Sequence, residues 1–158
     1  MLTNRPTFTA VRKLKESGLR PTRQRIALAR LLLEGGPRHV TAEELFQEAR
    51  AAGIPVSLAT VYNTLHQFTA AGLMTEVVAG SGQSYFDTNP TSHYHYFDKS
   101  TGEIIDVPED AIRFERLPEP PPGKVIDRID VVVRIRSVRA PAPAARPTPA
   151  EEAGEPEA

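Results

Sequence analysis

The chain has 158 residues, 40% of them hydrophobic, which suits one average domain or two small ones with a modest core. It contains no cysteine, which excludes disulfides, a thiol nucleophile and any cysteine-based zinc site, so a metal would need histidine and carboxylate ligands. The net charge of −1 hides an asymmetry: residues 1–38 carry nine Lys/Arg against two Glu (+7), residues 83–138 seven basic against ten acidic (−3), and residues 139–158 two against four (−2). A basic N-terminal segment on a near-neutral chain suits a polyanionic partner, because Lys and Arg neutralise phosphates and release counterions. No apolar run approaches the roughly 20 residues of a membrane span, and the N-terminus lacks the apolar stretch of a secretory signal. A cytoplasmic protein with no membrane partner is expected.

In chain order, Thr9 to Ser17 reads as a short helix stopped by Gly18. Thr22 is placed to cap a second helix, RQRIALARLLLE, with Ile26, Leu28, Leu31 and Leu32 along one side and Gly35-Gly36-Pro37 after it. Thr41-Ala42-Glu43-Glu44 fits the capping-box pattern and opens a third helix that ends at Gly53. Ser57 is placed to cap a fourth, LATVYNTLHQFTAA, closed by Gly72, whose Leu58, Val61, Leu65 and Phe68 share a core-facing stripe. From Leu73 the period changes to two. LMTEVVA, a Gly80-Ser81-Gly82 turn and QSYFD predict a β-hairpin. Helices followed by a hairpin is the winged-helix order, in which the helix before the hairpin enters the major groove.

Residues 87–138 predict a small α/β unit. YHYFD and EIIDV are strands around a Lys99–Gly102 turn, Pro108-Glu109-Asp110 starts a short helix to about Leu117, and PEPPPG leads to KVIDRIDVVVRIR. There Val125, Ile129, Val131, Val133 and Ile135 are expected on one strand face. So small a unit buries little on its own, and pairing with a second copy offsets that, so a homodimer is expected. The fold class is thus α+β: a winged-helix DNA-binding domain over residues 1–86, a small α/β dimerisation and sensing domain over 87–138, and a disordered Pro/Ala/Glu tail over 139–158.

The fourth helix is the candidate reader of double-stranded DNA. Its N-terminal half offers Ser57, Ala59, Thr60, Tyr62, Asn63 and Thr64, small or hydrogen-bonding groups suited to close groove approach. Ala and Thr methyls meet thymine methyls, and Asn pairs with adenine. Arg20, Arg23 and Arg25 are placed to grip phosphates or a narrow minor groove. The competing reading is a helical bundle with a polar face; helix order, hairpin and basic segment together favour DNA.

GLRPTRQRIALARLL, RHVTAEELFQEA and VSLATVYNTLHQFTAAGL resemble the DNA-binding domain of ferric uptake regulator family repressors, and SYFDTNPTSHYHYFDKSTGEIIDV resembles the hairpin end and the start of their dimerisation domain. The resemblance spans about residues 10–136 and is nearest the family's iron response regulators, on FDTNPTSHYHYF, IIDVP and the lack of cysteine. It implies base contact by Tyr62 and DNA contact by Arg20 and Arg25; Asn63 stands where an arginine is common, which implies a different operator preference.

The stretch SHYHYFD poses the metal question by itself. Residues i and i+2 of a strand point the same way, so His93 and His95 share a face. Flanked by Tyr94 and Tyr96, such a pair also reads as a half-buried ladder of rings. Further ligands are available in Asp87 at the end of one strand, Asp106 at the end of another, and His39 before the third helix. Three His and two Asp form an N/O set suited to Fe(II), Mn(II) or, in vitro, Zn(II). The family resemblance implies that all five, His39, Asp87, His93, His95 and Asp106, ligate a regulatory metal between the domains. It implies an iron- or haem-responsive regulator, with haem a further candidate ligand near His93 and His95, or else a peroxide sensor in which Fe(II) oxidises a ligand His. A metal-dependent hydrolase or oxygenase is the rival from another class; no second acid–base set supports it, and no enzymatic role is expected.

Overall fold

The computed structural model describes residues 5–80 and 82–138. The tail expected to be disordered lies outside them. Four helices come first: α1 (Arg5–Glu16), α2 (Arg23–Leu33), α3 (Ala42–Ala51) and α4 (Leu58–Ala70). Three begin on the caps the sequence predicts, each a hydroxyl satisfying an N–H that has no partner within the helix. Thr22 Oγ1 accepts from the Arg25 N–H at 3.3 Å and Ser57 Oγ from Thr60 at 3.1 Å. Thr41 forms the full capping box, its hydroxyl 3.2 Å from the Glu44 N–H and its own N–H 2.8 Å from the Glu44 carboxylate. Helix α1 starts earlier than the Thr9 expected, at Arg5, since a proline at position 6 is tolerated in a first helical turn.

Leu14, Leu28, Leu32, Leu45, Val61 and Leu65 bring the helices together on one core, joined by Val40 and Phe86 from strands. Burial of each such side chain stabilises the fold by about 1.5–3 kcal/mol. Strands β1 (His39–Val40), β2 (Thr75–Ala79) and β3 (Gln83–Asp87) form an antiparallel sheet in the order β1-β3-β2. β1 lies where the sequence predicts no strand: two residues are too few to show a period of two. The second sheet has β4 (Tyr94–Asp98) at its centre, antiparallel to β5 (Ile104–Val107) and parallel to β6 (Val132–Ile135). The architecture is α+β, as expected.

Two elements are shorter than predicted. The helix expected from Pro108 to about Leu117 is a single 3₁₀ turn, Glu109–Ala111, because Ile112 turns extended at φ −122° and ψ 124°. Phe114 then packs edge-on against Tyr94, with ring centroids 6.1 Å apart. The long strand expected over 124–136 forms only at Val132–Ile135, where His95–Asp98 of β4 supply partners. Val125 has no ladder to join and is 86% exposed, so it does not share the face predicted for it. Among the described residues, no helix is long and apolar enough to cross a membrane.

Candidate metal centre and nucleic-acid face

The two sheets meet at five side chains. Register pairs His39 with Asp87 in the first sheet and His95 with Asp106 in the second, and His93 precedes β4. One donor atom from each of His39, Asp87, His93, His95 and Asp106 lies within 4.8 Å of all the others. Asp87 Oδ2 stands 3.1 Å from His39 Nε2, 2.7 Å from His93 Nε2 and 3.0 Å from His95 Nε2. Asp106 Oδ1 faces the same three atoms at 2.8, 3.2 and 3.6 Å. Asp87 and His95 are buried, whereas Asp106 is exposed.

Hydrogen bonding alone does not account for this convergence. His93 Nδ1 lies 2.6 Å from the Thr91 carbonyl, which can only accept, so Nδ1 carries the proton. In the neutral ring, Nε2 then aims a lone pair at the Asp87 carboxylate. A carboxylate oxygen has two lone pairs and three imidazole nitrogens compete for this one, while Asp87 Oδ1 is taken by the Asn89 N–H at 2.8 Å. Positive charge placed among these atoms, as protons or as a cation, is what the geometry requires. Burial alone would raise the Asp87 pKa, yet hydrogen bonds from His39 and His95 and from the Asn89 N–H hold it well below the usual carboxylate range. Burial opposes charging of His39, but the Asp87 hydrogen bond and the two carboxylate charges raise its pKa. His93 is likewise raised, against its burial, by the Thr91 carbonyl and Asp87.

The donor set also fits a cation by distance. Ligand atoms at about 2.1 Å from an ion, at right angles to one another, stand about 3 Å apart. The carboxylate-to-imidazole separations bracket that value.

On α4, Ser57, Ala59 and Asn63 are exposed and Thr60 and Tyr62 half-buried. The Ser57 and Thr60 hydroxyls bond each other at 2.9 Å, and the Tyr62 hydroxyl donates to Glu43 at 2.6 Å. Thr64 corrects an expectation: it is 5% exposed and cannot reach a base, because it lies on the inward stripe with Val61, Leu65 and Phe68. Arg20 and Arg23 are exposed. Arg25 is committed within the protein, its Nε and Nη2 on Gln67 Oε1 of α4 at 3.2 and 2.8 Å and its Nη1 on the Arg20 carbonyl at 2.9 Å.

The sequence matches the ferric uptake regulator family over residues 16–117. The chain belongs to that family. Staphylococcus aureus peroxide-responsive repressor PerR is 35% identical over 97 residues, 61% of this chain and 65% of the relative, so the chain spans just under two thirds of that protein's length. The Pseudomonas aeruginosa ferric uptake regulator solved with manganese is 27% identical, covering 82% of this chain and 98% of the other, with a TM-score of 0.63. The Vibrio cholerae ferric uptake regulator shares the fold at 23% identity and a TM-score of 0.63, covering 80% of this chain and 98% of that one.

In this family member, sequence reasoning overlooked the groups that hold β1. Arg38, Glu48 and Thr88 surround His39 and Asp87 without belonging to the donor set. Arg38 and Thr88 are not metal-ligand types, the Glu48 carboxylate is engaged by Arg38, and only the folded chain brings the three together.

Proposed function

We propose that this chain is a dimeric, sequence-specific DNA-binding transcription regulator whose operator affinity is set by a divalent ion, Fe(II) or Mn(II), held by His39, Asp87, His93, His95 and Asp106. Zn(II) is accepted in vitro. The observation that carries this reading is the convergence of five N/O donors, from both sheets, within 4.8 Å. The relative solved with manganese supports it. Residues 1–86 form the winged-helix DNA-binding unit and 87–138 the dimerisation unit, with α4 as the reading helix. Ser57, Ala59, Thr60, Tyr62 and Asn63 face the groove, and Arg20 and Arg23 meet phosphates. No catalytic role is assigned, since the donors crowd one point and leave little room for substrate.

When bound, the ion supplies the positive charge that Asp87 and Asp106 need in order to stand together. The protein does the rest. His39 and Asp87 stand on the first sheet and His93, His95 and Asp106 on or beside the second, so filling the site fixes the angle between the two sheets. In a dimer that angle sets the spacing of the two reading helices, and only one half-site spacing binds tightly. Couplings of this kind change affinity by about 5–150-fold.

The regulated genes are those of iron and haem homeostasis, following the resemblance to the iron response regulators. Haem at His93 or His95 would require a ring to turn its Nε2 away from Asp87, and the bare ion is the simpler effector. A second reading, peroxide sensing, is favoured by the 35% identity to the Staphylococcus aureus repressor. The deciding experiment is an operator titration with metal-free, Mn(II)-loaded and haem-loaded protein. Mn(II) is expected to shift affinity and His93→Ala to abolish the shift; equal affinity in all three states sinks the reading. Mass spectrometry of the Fe(II) form after peroxide separates the readings: a single-oxygen adduct on His39 or His93 supports peroxide sensing.

A further inference from the structure

His39 stands on a strand of only two residues. Two ladder residues do not hold a side chain within the few tenths of an ångström that a ligand set demands. Three side chains outside the donor set make up the difference. The Thr88 hydroxyl accepts from the Arg38 N–H at 2.9 Å and donates to the Arg38 carbonyl at 3.3 Å, and the Thr88 N–H donates to that carbonyl at 3.0 Å. Arg38 precedes His39, Thr88 follows Asp87, and His39 and Asp87 face each other in the register. One hydroxyl therefore fixes the chain beside a donor residue on each strand.

The Arg38 guanidinium then grips both carboxylate oxygens of Glu48 on α3, its Nη1 3.0 Å from Oε2. A two-pronged, charge-assisted contact of this kind fixes orientation as well as distance. At the other end of β1, Thr41 and Glu44 form the capping box of the same helix. Residues 38–41 are thus fastened to α3 at Glu44 and Glu48, one helical turn apart and on one face.

We infer that Arg38, Glu48 and Thr88 are positioning residues of the centre, which make β1 part of the rigid body of α3. A constraint imposed at His39 is delivered through them to the helices. Partners that orient ligands in this way are worth about 10–100-fold in metal affinity. The ligand in this inference rests on the metal reading above; the clasp itself does not.

The test uses the full chain and two readouts: amide hydrogen exchange over residues 38–41 and 87–88 in metal-free protein, and calorimetric titration with Mn(II). Thr88→Val is expected to speed exchange in those segments and weaken Mn(II) binding about tenfold, with circular dichroism unchanged. Thr88→Ser keeps the hydroxyl, gives up the methyl and should behave as wild type. A merely packing role predicts the reverse order, with Val tolerated and Ser impaired. Glu48→Arg should loosen the same segment, and adding Arg38→Glu should tighten it again. The inference is overturned if Thr88→Val matches wild type in both readouts, or if Thr88→Ser is as impaired as Thr88→Val. Should wild-type protein take up no Mn(II), the metal reading fails, and the exchange measurement still decides the clasp.

Discussion

Asn63 and Thr64 are neighbours with opposite fates. Asn63 is exposed near the N-terminal end of α4, while Thr64 is buried one position on. The difference was readable: Thr64 is three residues after Val61 and four before Phe68, so helical geometry puts it on the core stripe, and its hydroxyl does not alter that. Asn63→Ala should change base preference in selection from a randomised duplex library, because a bidentate pair with adenine is worth about 1–3 kcal/mol. Thr64→Val should select the same sites as wild type. If Thr64→Val shifts the preference instead, α4 is not oriented as described. The five donor residues were legible for a simpler reason: in a cysteine-free chain with four histidines, His93 and His95 share a strand face and few other ligand types stand near strand ends. Arg38, Glu48 and Thr88 were not, because polar surface residues look alike until the register places them.

At the level of elements, hydroxyl caps and glycine stops located α2, α3 and α4 closely, since both act within a few residues of chain. Elements whose existence depends on distant partners were misjudged. The strand over 124–136 had the right residues, but only four of them find β4 opposite. β1 exists only because β3 pairs with it. The capping box at Thr41 tests how much a local signal contributes. Its hydroxyl is buried and serves the Glu44 N–H directly behind His39. Thr41→Ala is expected to cost about 1 kcal/mol, lowering the melting temperature by about 2–4 °C for a chain of this size. Thermal unfolding followed by circular dichroism checks it; an unchanged melting temperature would mean that Glu44 and its helix do not depend on the cap.

For the whole molecule, the relation between the two sheets is what matters, and the period of two sets it twice over. Tyr85 and Asp87 share one face of β3, and His95 and Phe97 share one face of β4. Asp87 meets His95 at the donor cluster, and Tyr85 meets Phe97 with ring centroids 6.3 Å apart. At that second point the Tyr85 hydroxyl donates to the Gly102 carbonyl at 3.1 Å, and Phe97 lies over Gly80, where an added Cβ would be 2.9 Å from its ring. The sheets are thus joined at one point by donor groups that suit a metal and at another by contacts that need none. Mn(II) at about 100 times its dissociation constant should add about 2.7 kcal/mol of stability, a rise of about 5–10 °C. Tyr85→Phe keeps the ring and removes one hydrogen bond, leaving the Gly102 carbonyl beside it. In chelator-treated protein this should cost about 0.5–1.5 kcal/mol. The Mn(II) increment should persist in the variant, because the donor cluster is intact. Denaturant titrations of both proteins, each with chelator and with Mn(II), give the four midpoints required. A Tyr85→Phe midpoint equal to wild type in chelator would show that the Tyr85–Gly102 hydrogen bond does not help join the sheets, leaving the ring contact with Phe97 as what holds them there.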